Sequence, residues 1–292
     1  MPPAPQVVTD IPRLPPRPAD ANKGTFGKAL VVAGSRGMSG AAVLCGSGAL
    51  RGGAGLVRVA TAKGIQPLVA AGNPCYMTVP LPEDADGKLA AAAAGELVAL
   101  AGTSSAAVIG PGLGRSAGLP ELLLTFLSQT TVPVVVDADA LNALAGRTAD
   151  LRLHHGPVVI TPHPGEFARL IDNDVDGVES DREGLAARFA LAHGAVVILK
   201  GKGTVVTDGH RLAVNATGNP GMATGGTGDV LAGVVGALLC QGLDPFAAAR
   251  LAVHIHGLAG DLARDERGEV GLIATDLLDH LPRAFRAHAA SA

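Results

Sequence analysis

The chain has 292 residues, 48% of them hydrophobic and 17% charged, which excludes an intrinsically disordered class and supplies material for a sizeable core. Basic and acidic residues nearly balance, 23 against 26, for a net charge of −3. Neither a nucleic-acid surface nor a polybasic membrane patch is expected from that balance. Aromatic residues make up only 2% and Trp is absent, so the core is to be built from Val, Leu, Ile and Ala. The three cysteines, Cys45, Cys75 and Cys240, lack metal-ligand or redox spacing and read as buried small residues in a reducing compartment. The Pro-rich start, residues 1–18, has no apolar h-region, and no apolar run reaches spanning length without glycine and polar interruptions. A soluble cytoplasmic protein is the expectation.

In chain order, residues 1–22 read as a Pro-rich extended arm and residues 23–292 as a single α/β domain. Residues 29–33 are a short apolar run typical of a buried strand. A glycine loop, residues 34–40, follows, and then a small-residue helix over 41–50. A glycine loop between strand and helix is a ligand-binding place in open α/β sheets. Residues 52–55 turn the chain into a strand over 56–60, and 75–79 read as another. Residues 89–100 read as an Ala-rich helix. The strand over 106–109 runs into Gly110-Pro111-Gly112-Leu113-Gly114, which is either a close-approach loop or a plain tight turn.

Residues 133–136 are a strand ending in Asp137-Ala138-Asp139. Asp139 reads as the N-cap of a helix over 140–145, and Asp137 is left without a role. The strand over 158–160 precedes Thr161-Pro162-His163-Pro164-Gly165-Glu166. Its two prolines fix the loop and present an imidazole, and Glu166 falls in a first helical turn. The strand over 195–199 leads to Lys200-Gly201-Lys202-Gly203-Thr204. Residues 204–207 and 211–214 then pair as a hairpin across a type I′ turn at Asp208-Gly209. Asp244-Pro245 starts a helix running to about residue 264, with one of His254 and His256 buried and hydrogen-bonded. A last amphipathic helix covers 273–287. Strands alternate with helices nearly throughout, which predicts a mostly parallel sheet covered on both faces.

The stretch Asn219-Pro220-Gly221-Met222-Ala223-Thr224-Gly225-Gly226-Thr227-Gly228-Asp229 runs into an apolar helix over 230–240. Two readings fit it. Glycine-exposed amides at a helix N-terminus suit a phosphate, with Asp229 there to handle a hydroxyl proton. Alternatively, it is a flexible loop with Asp229 as a helix cap.

Taken in order, Lys23-Gly24, Ala33-Gly34-Ser35 with Ser39-Gly40-Ala41-Ala42, Gly110 to Gly114, Asp137 to Asn142, Thr161 to Glu166, Lys200 to Thr204 and Thr224 to Asp229 form a set. This set resembles the ADP-dependent NAD(P)H-hydrate dehydratases of the ribokinase-like superfamily, over nearly all of the chain from about residue 9. The resemblance implies a ribokinase-like sheet and removal of water from the S epimer of hydrated NADH or NADPH (NADHX, NADPHX), with ADP giving AMP and phosphate. It implies Asp229 as the residue that deprotonates or orients the hydroxyl, and Gly226, Thr227 and Gly228 as an anion hole. It matches Ala42, Gly112, His163 and Asp229 to substrate contacts, and Lys200, Gly201, Lys202, Gly203, Thr204 and Gly228 to nucleotide contacts. Mg²⁺ is implied, with Glu166 acting on it through water, although related vitamin kinases carry Asn where His163 stands. A stand-alone dehydratase, a homotetramer and a separate NAD(P)H-hydrate epimerase as functional partner are further expectations. The alternatives are a hydroxymethylpyrimidine- or hydroxyethylthiazole-type kinase and a non-catalytic nucleotide-binding protein.

Overall fold

A computed structural model describes residues 4–290. The strands are β1 (Gln6–Val7), β2 (Lys28–Val32), β3 (Leu56–Ala62), β4 (Met77–Leu81), β5 (Ala106–Ile109), β6 (Val134–Val136), β7 (Val158–Ile160), β8 (Ala195–Leu199), β9 (Val205–Thr207) and β10 (Arg211–Val214). The helices are α1 (Ser39–Arg51), α2 (Gln66–Gly72), α3 (Ala94–Ala101), α4 (Leu119–Gln129), α5 (Ala138–Ala143), α6 (Pro164–Leu170), α7 (Val175–Ser180), α8 (Arg182–His193), α9 (Thr227–Cys240), α10 (Pro245–Arg267) and α11 (Ala274–Ala290).

All ten strands join one sheet in the order β1-β10-β9-β8-β7-β6-β5-β2-β3-β4. Strands β2 to β8 run parallel, β9 pairs antiparallel with β8, and β10 antiparallel with β9. Every residue of β5, β6, β7 and β8 is buried, as strands covered on both faces must be. Helices α9 and α10 cover the sheet on one side, while α8 packs on β8 and β9 from the other. After the edge strand β1 the chain enters the middle of the sheet at β2, runs outward through β3 and β4, then returns to β5 and runs the other way. The strand order therefore reverses between β2 and β5, and the loops after these two strands meet there, Gly34 N donating to Pro111 O at 2.8 Å.

Several sequence expectations are corrected. The expected arm is extended, but Gln6 and Val7 add an edge strand parallel to β10, and Arg17 donates to the Gly53 carbonyl at 2.9 Å. The Ala-rich helix starts late. Asp84 accepts from the Asp86 and Lys88 amides, and the resulting turn returns Leu89 to bridge Glu83. The α-helix proper begins only at Ala94. The hairpin turn is not type I′, which needs positive φ at both central residues. Gly209 has φ +89° while Asp208 does not, and Asp208 N donates to Arg211 O, so the turn sits on Gly209 and His210. Cys45 and Cys240 are buried, but Cys75 is exposed, in the turn before the sheet's uncovered edge strand β4. No helix among the described residues is long and apolar enough to cross a membrane.

Helices α1 and α9 approach closely because glycines line their contact. A Cβ at Gly48 would stand 2.5 Å from the Val230 carbonyl oxygen, and one at Gly233 would collide with the Cys45 carbonyl oxygen. In a free helix, Gly→Ala stabilises by about 1 kcal/mol. Here Gly233→Ala should instead destabilise by about 1–3 kcal/mol, because backbone must move to admit the methyl. A urea midpoint lower than wild type, at unchanged slope, is the expected result. A raised midpoint would show that the helices are not in contact there.

Candidate active site

Parallel strands end their turns on one edge of the sheet, and that edge collects the chemistry-bearing residues. From one side to the other lie Lys200 after β8, Thr161 to Glu166 after β7, Asp137 and Asp139 after β6, Gly110 to Gly114 after β5, and Gly34 to Gly40 after β2. Helix α9 rests on β5, β2 and β6, so its N-terminus arrives over the middle of this edge.

Gly226 is the N-cap of α9, with φ +92°, and its missing side chain matters because a Cβ would strike Leu44. Among the described residues, the amides of Thr227, Gly228 and Asp229 have no acceptor. Unpaired amides plus the helix dipole make an anion site. The Thr227 hydroxyl is turned away from that site and donates to the Met222 and Thr224 carbonyls, each at 3.1 Å, which closes the loop. Asn219 caps the preceding short turn and donates to Asp261 at 3.1 Å. His256 is the buried histidine of its helix. Its Nε2 lies 2.9 Å from the Thr227 carbonyl and bolsters the first turn, while burial lowers its pKa to about 4.

Asp229 is not a helix cap. It sits in the first turn, and no amide donates to its side chain. Burial pushes its pKa up to about 7, the Asp137 carboxylate adds to the rise, Lys200 opposes it, and Asp139 and Glu166 contribute further. A carboxyl group poised near neutrality and free of partners can take a proton from a ligand hydroxyl.

Below it is a polar cluster anchored on the buried Asp137. Asp137 Oδ1 accepts from Thr161 Oγ1 at 2.7 Å and from Lys200 Nζ at 3.1 Å. Lys200 Nζ is also 3.9 Å from Glu166 Oε2 and lies against Gly228, where a Cβ would come within 3.3 Å of it. These carboxylates, Asp137 foremost, hold the ammonium charged against the opposing cost of burial, and its pKa is raised. Asp137 occupies the N-cap position of α5, displacing the expected cap Asp139. Asp139 instead accepts from Gly114 N at 2.8 Å and ties the β5 loop to the β6 loop.

Glu166 and His163 form a capping box. The His163 amide donates to Glu166 Oε2 at 2.8 Å, and His163 Nδ1 accepts from Gly165 N at 3.0 Å. Nδ1 is therefore unprotonated, and burial lowers the imidazole's pKa, against the attraction of Glu166. The ring stands half exposed, with Nε2 3.5 Å from Glu166 Oε1. Arg182 pins the loop after β8 by donating to the Leu199 and Lys200 carbonyls at 3.0 and 3.1 Å, and Lys202 is exposed.

Gly112 and Ala42 lie where the loops after β5 and β2 meet. Ser35 Oγ donates to Gly112 O at 2.9 Å. Gly112 has φ +62°, and a Cβ there would strike Ala41. Ala42 is fully buried with its methyl toward Gly34, so its smallness lets the α1 backbone close on the loop. The structure thus brings Asp229, Gly226 to Gly228, Lys200, Glu166 and Asp137 together, sets His163 at the rim, and puts Ala42 beneath the floor.

Sequence reasoning missed Asp137, Thr161 and His256 as parts of this assembly. Asp137 carried a signal, a carboxylate at a parallel strand's C-terminal end, but its partners lie 24 and 63 residues away. A mainly apolar cleft lined by Pro157, Leu191, Ala195 and Pro245 opens at the opposite sheet edge, away from these groups.

The model of the NAD(P)H-hydrate dehydratase family matches residues 29–283. The bifunctional NAD(P)H-hydrate repair enzyme of Moorella thermoacetica is 45% identical over 276 residues, 94% of this chain and 52% of that enzyme. The chain thus spans about half the length of such bifunctional relatives. The ADP-dependent (S)-NAD(P)H-hydrate dehydratase of Bacillus subtilis is 39% identical over 279 residues, 94% of each chain. The crystal structure of the Bacillus subtilis ADP/ATP-dependent NAD(P)H-hydrate dehydratase, co-crystallized with ATP/Mg²⁺, matches with a TM-score of 0.82 at 35% identity, again over 94% of each. The fold is ribokinase-like, and the chain belongs to the NAD(P)H-hydrate dehydratase family.

Proposed function

We propose that this chain dehydrates the S epimer of NADHX and NADPHX at the expense of ADP, releasing AMP and phosphate. One observation carries the reading: Asp229, its pKa near 7, lies beside free helix N-terminal amides and a charged lysine. Hydroxide is a poor leaving group and phosphate a good one. The ring hydroxyl gives its proton to Asp229 and attacks the terminal phosphorus of ADP, and the bond to AMP breaks. The amides of Thr227, Gly228 and Asp229 receive the charge on the transferring phosphoryl oxygens. The ring nitrogen's lone pair then expels phosphate, and loss of a proton from the neighbouring carbon restores the ring double bond.

Lys200 and the Gly201 to Thr204 loop take the nucleotide, with Gly228 leaving room for the lysine. Gly112 and His163 take the hydrated nicotinamide nucleotide, over the floor closed by Ala42. Among the described residues no three acidic, His or Cys side chains form a direct metal cage. The surplus of carboxylates that raises the Asp229 pKa fits a hydrated Mg²⁺ carried on the nucleotide phosphates, with Glu166 reaching it through water. When bound there it supplies neutralising charge to the phosphates. A homotetramer and a separate epimerase as functional partner go with this reading.

Incubation with NADHX, Mg²⁺ and either ADP or ATP should restore NADH absorbance. No recovery with either nucleotide, together with phosphorylation of a pyrimidine or thiazole alcohol, would replace the dehydratase reading by the kinase one. Asp229→Asn should lower kcat by about 10²–10⁴-fold while calorimetric AMP binding persists. Lost AMP binding would make Asp229 a structural residue.

The base must be ionised to act, so kcat/KM should rise with pH through about 7. Lys200 holds the Asp229 pKa down, so Lys200→Met should move that limb to higher pH as well as weaken nucleotide binding. A limb that stays put in the variant would separate the two groups.

A further inference from the structure

The nucleotide positions lie on the β8 side of Asp229, which leaves the edge from β5 through β2 and β3 to β4 for the second ligand. At about 4.8 Å per strand, that edge is roughly 14 Å long. The proposed substrate is a dinucleotide, and its hydrated ring occupies only the Asp229 end. Its phosphates must cross the remaining edge.

That edge carries cations that the chain itself leaves uncompensated. The loop after β4 folds back over the switch-point loops. Arg36 N donates to Gly87 O at 2.9 Å, Arg36 Nη1 to Ala85 O at 3.2 Å, and Lys88 Nζ to Arg115 O at 2.8 Å. Lys88 thereby lies beside Gly114, where a Cβ would be 3.3 Å from its side chain, and Met38 meets the same glycine.

The acidic groups here are otherwise engaged. Asp84 caps its own turn, and Glu83 accepts from Gly64 N. Only Asp86, largely in solvent, stands 3.9 Å from Lys88. Arg36 and Arg115 are exposed and have no acidic partner among the described residues. Met38 is exposed beside Gly114. Two guanidinium groups without an acidic partner and an ammonium with only a solvent-side one, around one turn, supply the charge a phosphate needs, and guanidinium offers a fork that matches phosphate oxygens.

Resting on the dehydratase reading, we propose that Arg36, Lys88 and Arg115 bind the phosphate charge of the dinucleotide's adenosine half, outside the reacting centre. Such contacts are equal in ground and transition state, so they act on KM and not on kcat.

The test is the double variant Arg36→Ser/Arg115→Ser, with AMP titration and melting temperature as folding controls. A charge-assisted hydrogen bond contributes on the order of tenfold in affinity. The variant should therefore raise KM for the dinucleotide on the order of tenfold or more, at unchanged kcat and unchanged KM for ADP. A rise for NADHX and NADPHX alike assigns the diphosphate. A rise for NADPHX alone assigns the 2′-phosphate. Both outcomes support the site.

Calorimetric titration with NADP⁺ tests the site without turnover. If the wild-type chain restores neither cofactor yet binds NADP⁺ more tightly than the variant, the dehydratase reading fails and the phosphate site stands. A variant equal to wild type in both KM and NADP⁺ binding overturns the site. So does a wild-type chain that binds no NADP⁺.

Discussion

The close contact of α1 with α9 is the constraint on which the site depends. Two helices can approach this nearly only where side chains are missing, and Gly48 and Gly233 supply the gaps. The approach brings the first turn of α9 down over β5 and β6 and so puts Asp229 among Asp137, Asp139 and Glu166. Its unusual ionisation follows from packing. Partial burial disfavours the charged carboxylate, neighbouring carboxylates disfavour it further, and Lys200 restrains the rise. The amides of Thr227, Gly228 and Asp229 at this end of the helix have no acceptor among the described residues.

The polar cluster under the helix is built to tolerate charge. Lys200 is partly buried yet bonded to Asp137 and near Glu166. Asp137 is fully buried and takes both the lysine and the Thr161 hydroxyl. A buried ion pair of this kind contributes little net stability but becomes costly when one partner is lost. Its worth here is positional: it holds a cation beside the open amides of the helix N-terminus. Glu166 is also committed, through its capping box with His163, to fixing the loop that presents the imidazole.

The strand-order reversal divides the loops of the functional edge into two sets. Loops after β6, β7 and β8 lie on one side of it, and loops after β2, β3 and β4 on the other. On the proposed reading, a phosphate donor held by the first set and a dinucleotide held by the second would converge at the N-terminus of α9. The division also accounts for the contrast in side chains. Carboxylates and one paired lysine surround Asp229, and guanidinium groups without acidic partners stand farther along the sheet edge.

Much was legible in the sequence because it is local. Unbroken apolar runs such as residues 106–109 and 195–199 can only be strands buried on both faces, and Asp244-Pro245 is a helix start by its own chemistry. Glycines crowded ahead of α9 announced a backbone left open to an anion, and the ordered motifs supplied the family. The roles of Asp137, Thr161 and His256 were not legible, since each is defined by a partner distant in the chain. Turn details failed for a related reason. Asp139 lost the cap position to Asp137 because Asp139 is drawn to the Gly114 amide on the neighbouring strand's loop. The sequence by itself thus determined the elements, their alternation and the residue types available for chemistry. Only the tertiary structure decided which carboxylate stands free beside the open amides, because that depends on how closely two glycine-lined helices can pack.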